Sequence, residues 1–191
     1  MSATGRNLEG HERRADDFYA TPAWCTLAIA KYLQRGNDSV AVLDPCCGDG
    51  AILNELQSCW NTRERHGIEI DVERAAHASQ RHTVRHADAL VGGPWPDADL
   101  LVTNPPYSLA MEFIERALIW VACGNMREAA FLTRLNFLGS QKRAAFHRQH
   151  PCDVHVLPKR PSFTGGGTDA TEYCWMVWGN NRGNRWFMLD V

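Results

Sequence analysis

The sequence predicts an α/β fold: a mostly parallel sheet of seven strands, one of them antiparallel, with helices on both faces. Short apolar runs of four to six residues alternate with longer stretches of helical period along the chain, the mark of β–α units laid into one sheet. A glycine-bearing turn, Gly48-Asp49-Gly50, separates the first run from a helical stretch, a layout in which a strand end and a helix start can share a ligand. The final run, Tyr173 to Trp178, lies close to the end of the sequence and suits an antiparallel strand inserted beside the sheet edge.

Taken in order, Ala23 to Gln34 reads as a helix, with Pro22 at its start where a missing N–H is harmless. Val40 to Leu43 is the first strand and Ala51 to Trp60 the second helix. Gly67 to Ile70, Thr83 to His86 and Leu100 to Thr103 are strands, with a helix over Val72 to Arg81 between the first two. In the helix Leu109 to Ala122, Phe113, Ala117 and Trp120 recur at helical spacing and read as core. Strands over Ala129 to Thr133, Val154 to Leu157 and Tyr173 to Trp178, with a helix at Gln141 to Gln149, complete the set. The glycine-rich stretch from Thr164 to Glu172 reads as a mobile loop, either a flap on the substrate side or a long hairpin connection.

Asn104-Pro105-Pro106-Tyr107 follows directly on a predicted strand. Pro106 drives Pro105 out of the helical region and each proline fixes its own φ, so the Pro105 carbonyl becomes an acceptor of set direction. With the Asn104 side-chain oxygen it can grip both hydrogens of a planar exocyclic amine, while Tyr107 offers a ring face to the group carrying that amine. Upstream, Gly48 and Gly50 allow close backbone approach, yet G-x-G-x-x-G is absent and no Gly-Lys-Ser/Thr follows. Asp44 at the strand end repels a pyrophosphate and suits a cationic ligand, such as one with an α-ammonium group. Glu69, about twenty residues beyond the turn, is placed to accept ribose hydroxyls, and Asp88 to accept from an adenine amino group. Together these acids point to S-adenosylmethionine.

These motifs resemble those of the Rossmann-like class I methyltransferases that modify amino groups, and most of all the DNA adenine N6-methyltransferases. The resemblance runs from Asp17 to about Trp178. It implies that Tyr19, Thr21, Asp44, Pro45, Gly48, Gly50, Glu69, Ile70, Asp88 and Asn104 hold S-adenosylmethionine, with the Thr21 hydroxyl on the methionine carboxylate. It implies catalysis by Asn104, Pro105, Pro106 and Tyr107, and substrate contacts by Tyr107, Phe163 and Arg160, the last two within Arg160-Pro161-Ser162-Phe163. The motif order is that of the gamma group, whose members carry a separate target-recognition domain. No such domain is evident here, so short loops, a specificity partner or homodimer, or weak sequence preference is expected. Related chemistries are methylation of an rRNA base at adenine N6 or guanine N2, of cytosine N4, or of a protein glutamine, and a non-catalytic methyltransferase-like subunit.

Composition fits one domain over 17–191 behind a loose arm at 1–16, with 45% hydrophobic and 22% charged residues. A cytoplasmic protein is expected, with no membrane span, no signal peptide and no metal, because the seven cysteines form neither a disulfide framework nor a ligand-spaced pair. Net charge is −2, but from Arg127 onward nine basic residues face five acids. That asymmetry favours a nucleic acid substrate, DNA ahead of RNA, bound through the C-terminal third.

Overall fold

The computed structural model describes residues 19–34, 39–163 and 169–191. The expected arm at 1–16, Asp17 and Phe18, and most of the expected glycine-rich loop, residues 164–168, lie outside the described residues. The elements run α1 (Ala23–Ala30), β1 (Val40–Asp44), α2 (Ala51–Cys59), β2 (Thr62–Glu69), α3 (Val72–Ala78), β3 (Thr83–His86), β4 (Leu100–Thr103) and α4 (Ala110–Ala122), then β5 (Glu128–Arg134), α5 (Gln141–Gln149), β6 (Asp153–Val156), β7 (Tyr173–Gly179) and β8 (Trp186–Met188). They build one eight-stranded sheet in the order β3-β2-β1-β4-β5-β7-β6-β8, with β7 antiparallel to both its neighbours.

The central strands are apolar on both faces because both faces are covered. All five residues of β1 and all four of β4 are buried, as parallel strands between helical layers must be. Their side chains alternate between two cores. Ala41, Leu43 and Leu101 join Phe113, Ile114 and Ala117 of α4 and Phe146 of α5. Val40, Val42, Leu100 and Val102 meet Ile29 of α1 and Ile52, Leu53 and Leu56 of α2. No helix among the described residues is long and apolar enough to cross a membrane.

Several boundaries differ from expectation. The first helix stops at Ala30, not Gln34. The second strand begins at Thr62 because its polar first half pairs with β1, with a register shift between Val40 and Ala41, and it ends at Glu69, leaving Ile70 outside. The sheet has eight strands rather than seven. The extra one, β8, pairs in parallel with β6, and its Phe187 stacks on the buried His155 ring at 4.6 Å. The antiparallel β7 sits inside the sheet between β5 and β6, with Trp175 and Tyr173 fully buried.

Beside β5, Arg182 is 5% exposed and joins Glu128 (2%) at 2.6 Å to Asp153 (0%) at 3.2 Å, and also donates to the Tyr32 carbonyl. Burial alone would raise the Asp153 pKa, but hydrogen bonds from Arg185, Gly183 and Arg182 outweigh it and hold the carboxyl below its usual range. This corner ties α1, β5 and β6 to the turn before β8.

Candidate functional site

β1 turns to β2 on one side and is flanked by β4 on the other. That reversal opens a crevice outside the carboxyl ends of the strands, where ligands bind in open α/β sheets. One pocket occupies it. Its wall brings together Tyr19, Thr21, Asp44, Pro45, Glu69, Ile70, Asp88, Asn104 and Pro106 from five separate stretches of the sequence. Gly48 and Gly50 do not line it; they shape its rim, with φ of 55° and 89° that a side chain would strain. Pro105, Tyr107, Arg160 and Phe163 also lie outside the wall.

The acids are locked by different partners. Asp44 is buried at the end of β1 and accepts from the Thr103 hydroxyl at 2.6 Å and the Cys46 N–H at 3.1 Å. Burial pushes its pKa up to about 7, against the hydrogen bonds from Thr103 and Cys46. Glu69, at the end of β2, accepts from the Gly48 N–H at 2.8 Å and so binds the glycine turn to the neighbouring strand. The turn packs so tightly on β2 that a Cβ at Gly67 would lie 2.6 Å from the Cys47 sulfur. Burial pushes the Cys46 and Cys47 thiols up, so neither is a thiolate near neutrality. Asp88 caps its own turn by accepting from the Leu90 N–H at 2.8 Å. The stretch after it is clamped from α4, where Arg116 donates to the Leu90 and Gly93 carbonyls, and by Trp95, which donates to the Ala89 carbonyl.

Asn104 closes the pocket on the β4 side. Its Nδ2 donates to the Thr21 hydroxyl at 3.1 Å and to the Tyr19 carbonyl at 3.3 Å, joining two motifs 83 residues apart. With the amide nitrogen so engaged, Oδ1 is turned away from those acceptors, and it is buried with no hydrogen-bond partner among the described residues. An orphaned buried acceptor is costly. The next carbonyl but one, that of Pro106, accepts from the Leu109 N–H at 2.9 Å and turns the chain into α4.

The aromatic residues form one connected group. Tyr107 packs against Tyr173 with ring centroids 5.8 Å apart, and the Arg134 guanidinium lies 4.9 Å over its ring. Phe163 rests on Tyr19 and on Tyr173, at 5.8 and 5.2 Å. Tyr107 and Phe163 therefore share one buried neighbour, Tyr173, whose hydroxyl donates to Asp169 at 2.6 Å. Arg160 is an exposed residue that pairs with Glu172 rather than a pocket group.

Arg74, Arg134 and Tyr173 escaped the sequence reading. Arg74 lines the pocket and pairs with Glu69 at 3.0 Å; its signal was a basic residue in the first turn of the helix after a strand-end acid. The basic surplus beyond Arg127 shrinks on folding. Arg127 pairs with Asp99, Arg160 with Glu172, and Arg182 and Arg185 with Asp153.

No family model and no curated protein matches the sequence. Solved structures do match. A candidate class I S-adenosylmethionine-dependent methyltransferase of Listeria monocytogenes superposes with a TM-score of 0.65 at 16% identity, over 88% of this chain and 64% of that one. A methyltransferase subunit of a type I restriction-modification system from Streptococcus thermophilus gives 0.63 at 18% identity, over 92% and 48%. A candidate RNA methyltransferase of Pyrococcus horikoshii gives 0.63 at 15% identity, over 86% and 87%. The chain thus spans less than two thirds of the length of the first two. What it has in common with all three is the architecture: the chain has the Rossmann-like fold of class I methyltransferases.

Proposed function

We propose that the protein is an S-adenosylmethionine-dependent methyltransferase acting on the exocyclic N6 amine of adenine in DNA, with weak sequence preference. The observation that carries this reading is the orphaned Asn104 Oδ1 at the end of β4, next to a pocket rimmed by strand-end acids. The residues fit the cofactor. Asp44 and Thr21 would take its methionine end, Glu69 and Ile70 its ribose, and Asp88 its adenine amino group. When bound, S-adenosylmethionine supplies a methyl group on a sulfonium, which leaves behind a neutral thioether.

The chain's own part is orientation. Asn104 Oδ1 and the Pro105 carbonyl accept the two N–H bonds of the target amine, which holds its lone pair toward the methyl group. As the N–C bond forms, nitrogen becomes positive, and the same two oxygens stabilise that charge before a proton passes to water. Tyr107 and Phe163, both against Tyr173, form the aromatic side on which a flipped base would stack. Mass spectrometry of nucleosides from DNA and from RNA, each incubated with labelled cofactor, tests the assignment. N6-methyladenine in DNA at many sequence contexts is the expected product; label in RNA or protein only would overturn the substrate.

Three further outcomes are expected. Calorimetry with S-adenosylhomocysteine should show Glu69→Ala losing on the order of 1.5–3 kcal/mol, the range for hydrogen bonds to a charged group; unchanged affinity would move the ribose elsewhere. The same ligand should bind more tightly as pH rises through about 7, because the α-ammonium group attracts only the ionised form of Asp44, whose pKa burial has raised. A flat profile between pH 6 and 8 would remove Asp44 from the ammonium site. Finally, with four of the late arginines paired to acids, oligonucleotide affinity should fall with salt with a logarithmic slope of about −3, as for a few phosphate contacts.

A further inference from the structure

Glu69 is the strand-end acid with one oxygen, Oε1, already fully taken up by donors. A carboxylate offers four lone-pair positions. Oε2 takes the Gly48 N–H at 2.8 Å, and Oε1 takes the Asp71 N–H at 2.9 Å together with Arg74 Nη2 at 3.0 Å and Nε at 3.2 Å. The two backbone donors are fixed by the glycine turn and by the entry to α3. The two from Arg74 belong to a side chain that can turn. A vicinal diol brings two O–H donors, the number that Arg74 supplies. Oε2 has room for one hydroxyl, but the second finds its acceptor on Oε1 once the guanidinium gives up its place.

A second place lies close by. The side chain of Asp71 caps α3 by accepting from the Glu73 and Arg74 N–H groups through Oδ1. Its Oδ2 stands 3.8 Å from Arg74 Nη1. Because the Arg74 backbone is held by the cap, the guanidinium can pass from Glu69 to Asp71 by side-chain rotation without unwinding the helix. The side chain is 18% exposed and lines the same pocket as Glu69.

We propose that Arg74 is a built-in competitor for the ribose site: it pairs with Glu69 Oε1 and must move toward Asp71 before both hydroxyls of the cofactor's diol can be held. This rests on the cofactor reading above. It makes Arg74 a residue that sets cofactor affinity by its departure.

The test is calorimetry of S-adenosylhomocysteine, S-adenosylmethionine, adenosine and 2′-deoxyadenosine with the unchanged protein, Arg74→Met and Arg74→Lys, with melting temperatures recorded alongside. Arg74→Met should bind S-adenosylhomocysteine and adenosine about tenfold more tightly, the scale of one charge-assisted hydrogen bond that no longer has to be exchanged. The gain for 2′-deoxyadenosine should be smaller, because one of its two donors is missing. Arg74→Lys, with a single ammonium in place of the fork, should fall between, and it serves if Arg74→Met melts too low to titrate. Equal or weaker binding by Arg74→Met overturns the proposal, since Arg74 would then be a bystander or a direct ligand. A gain seen with S-adenosylmethionine but not with adenosine also overturns it, since repulsion of the sulfonium would be the cause. If the unchanged protein binds neither S-adenosylmethionine nor S-adenosylhomocysteine, the cofactor reading itself fails.

Discussion

Asn104→Ala should lower turnover about 10²–10³-fold at saturating cofactor, the cost of deleting one acceptor aimed at charge that develops in the transition state. The amide is oriented by its own bonds. Nδ2 is used by Thr21 and Tyr19, so Oδ1 is the atom presented, and it is buried without a partner among the described residues. Alanine removes that acceptor and leaves the Pro105 carbonyl alone, which fixes one N–H of an amine but not its plane. Cofactor affinity should change much less, because Asp44 and Glu69 lie on other strands and Asp88 in the turn after β3. Single-turnover rates and S-adenosylhomocysteine affinity, measured on the same preparation, separate the two. A variant that keeps most of its turnover would show that amine activation lies elsewhere.

Arg182→Met should destabilise the protein by about 3–5 kcal/mol, the cost of removing one partner from a buried ion pair. Methionine conserves much of the side-chain volume, so the expected loss is electrostatic rather than a cavity. Asp153 retains Arg185 at 2.6 Å, whereas Glu128 keeps the Gln34 N–H at 2.7 Å. Most of the cost should therefore come from Glu128, a carboxylate at 2% exposure. Denaturant unfolding measures it, and adding Glu128→Gln to Arg182→Met should recover a large part of the loss. A shift below about 1 kcal/mol, the size of a surface pair, would mean that water reaches this corner.

Much of the site was legible because its parts are local. The end of an apolar strand is the place where a side chain leaves the sheet, so Asp44, Glu69 and Asn104 could be placed from their runs alone. The glycines could be read because positive φ is needed where a strand turns sharply into a helix, and both have it. Other parts had no local signal. The strand Trp186–Met188 is three residues long, with Trp186 61% exposed, and exists because β6 would otherwise present an unpaired edge. The polar start of β2 is a strand because β1 lies beside it.

By itself, then, the sequence determined the sheet-and-helix order, the acids at the strand ends and the rigid Asn-Pro-Pro-Tyr turn, all of which follow from periodicity and backbone chemistry within a few residues. The tertiary structure alone decided which donors fill Glu69, which way the Asn104 amide faces, which ring lies between Tyr107 and Phe163, and which arginines remain for a partner. These depend on hydrogen bonds and ion pairs between residues as far apart as Thr21 and Asn104, or Glu128 and Arg182. Pairing of that kind is a property of distance in space, which local composition does not encode.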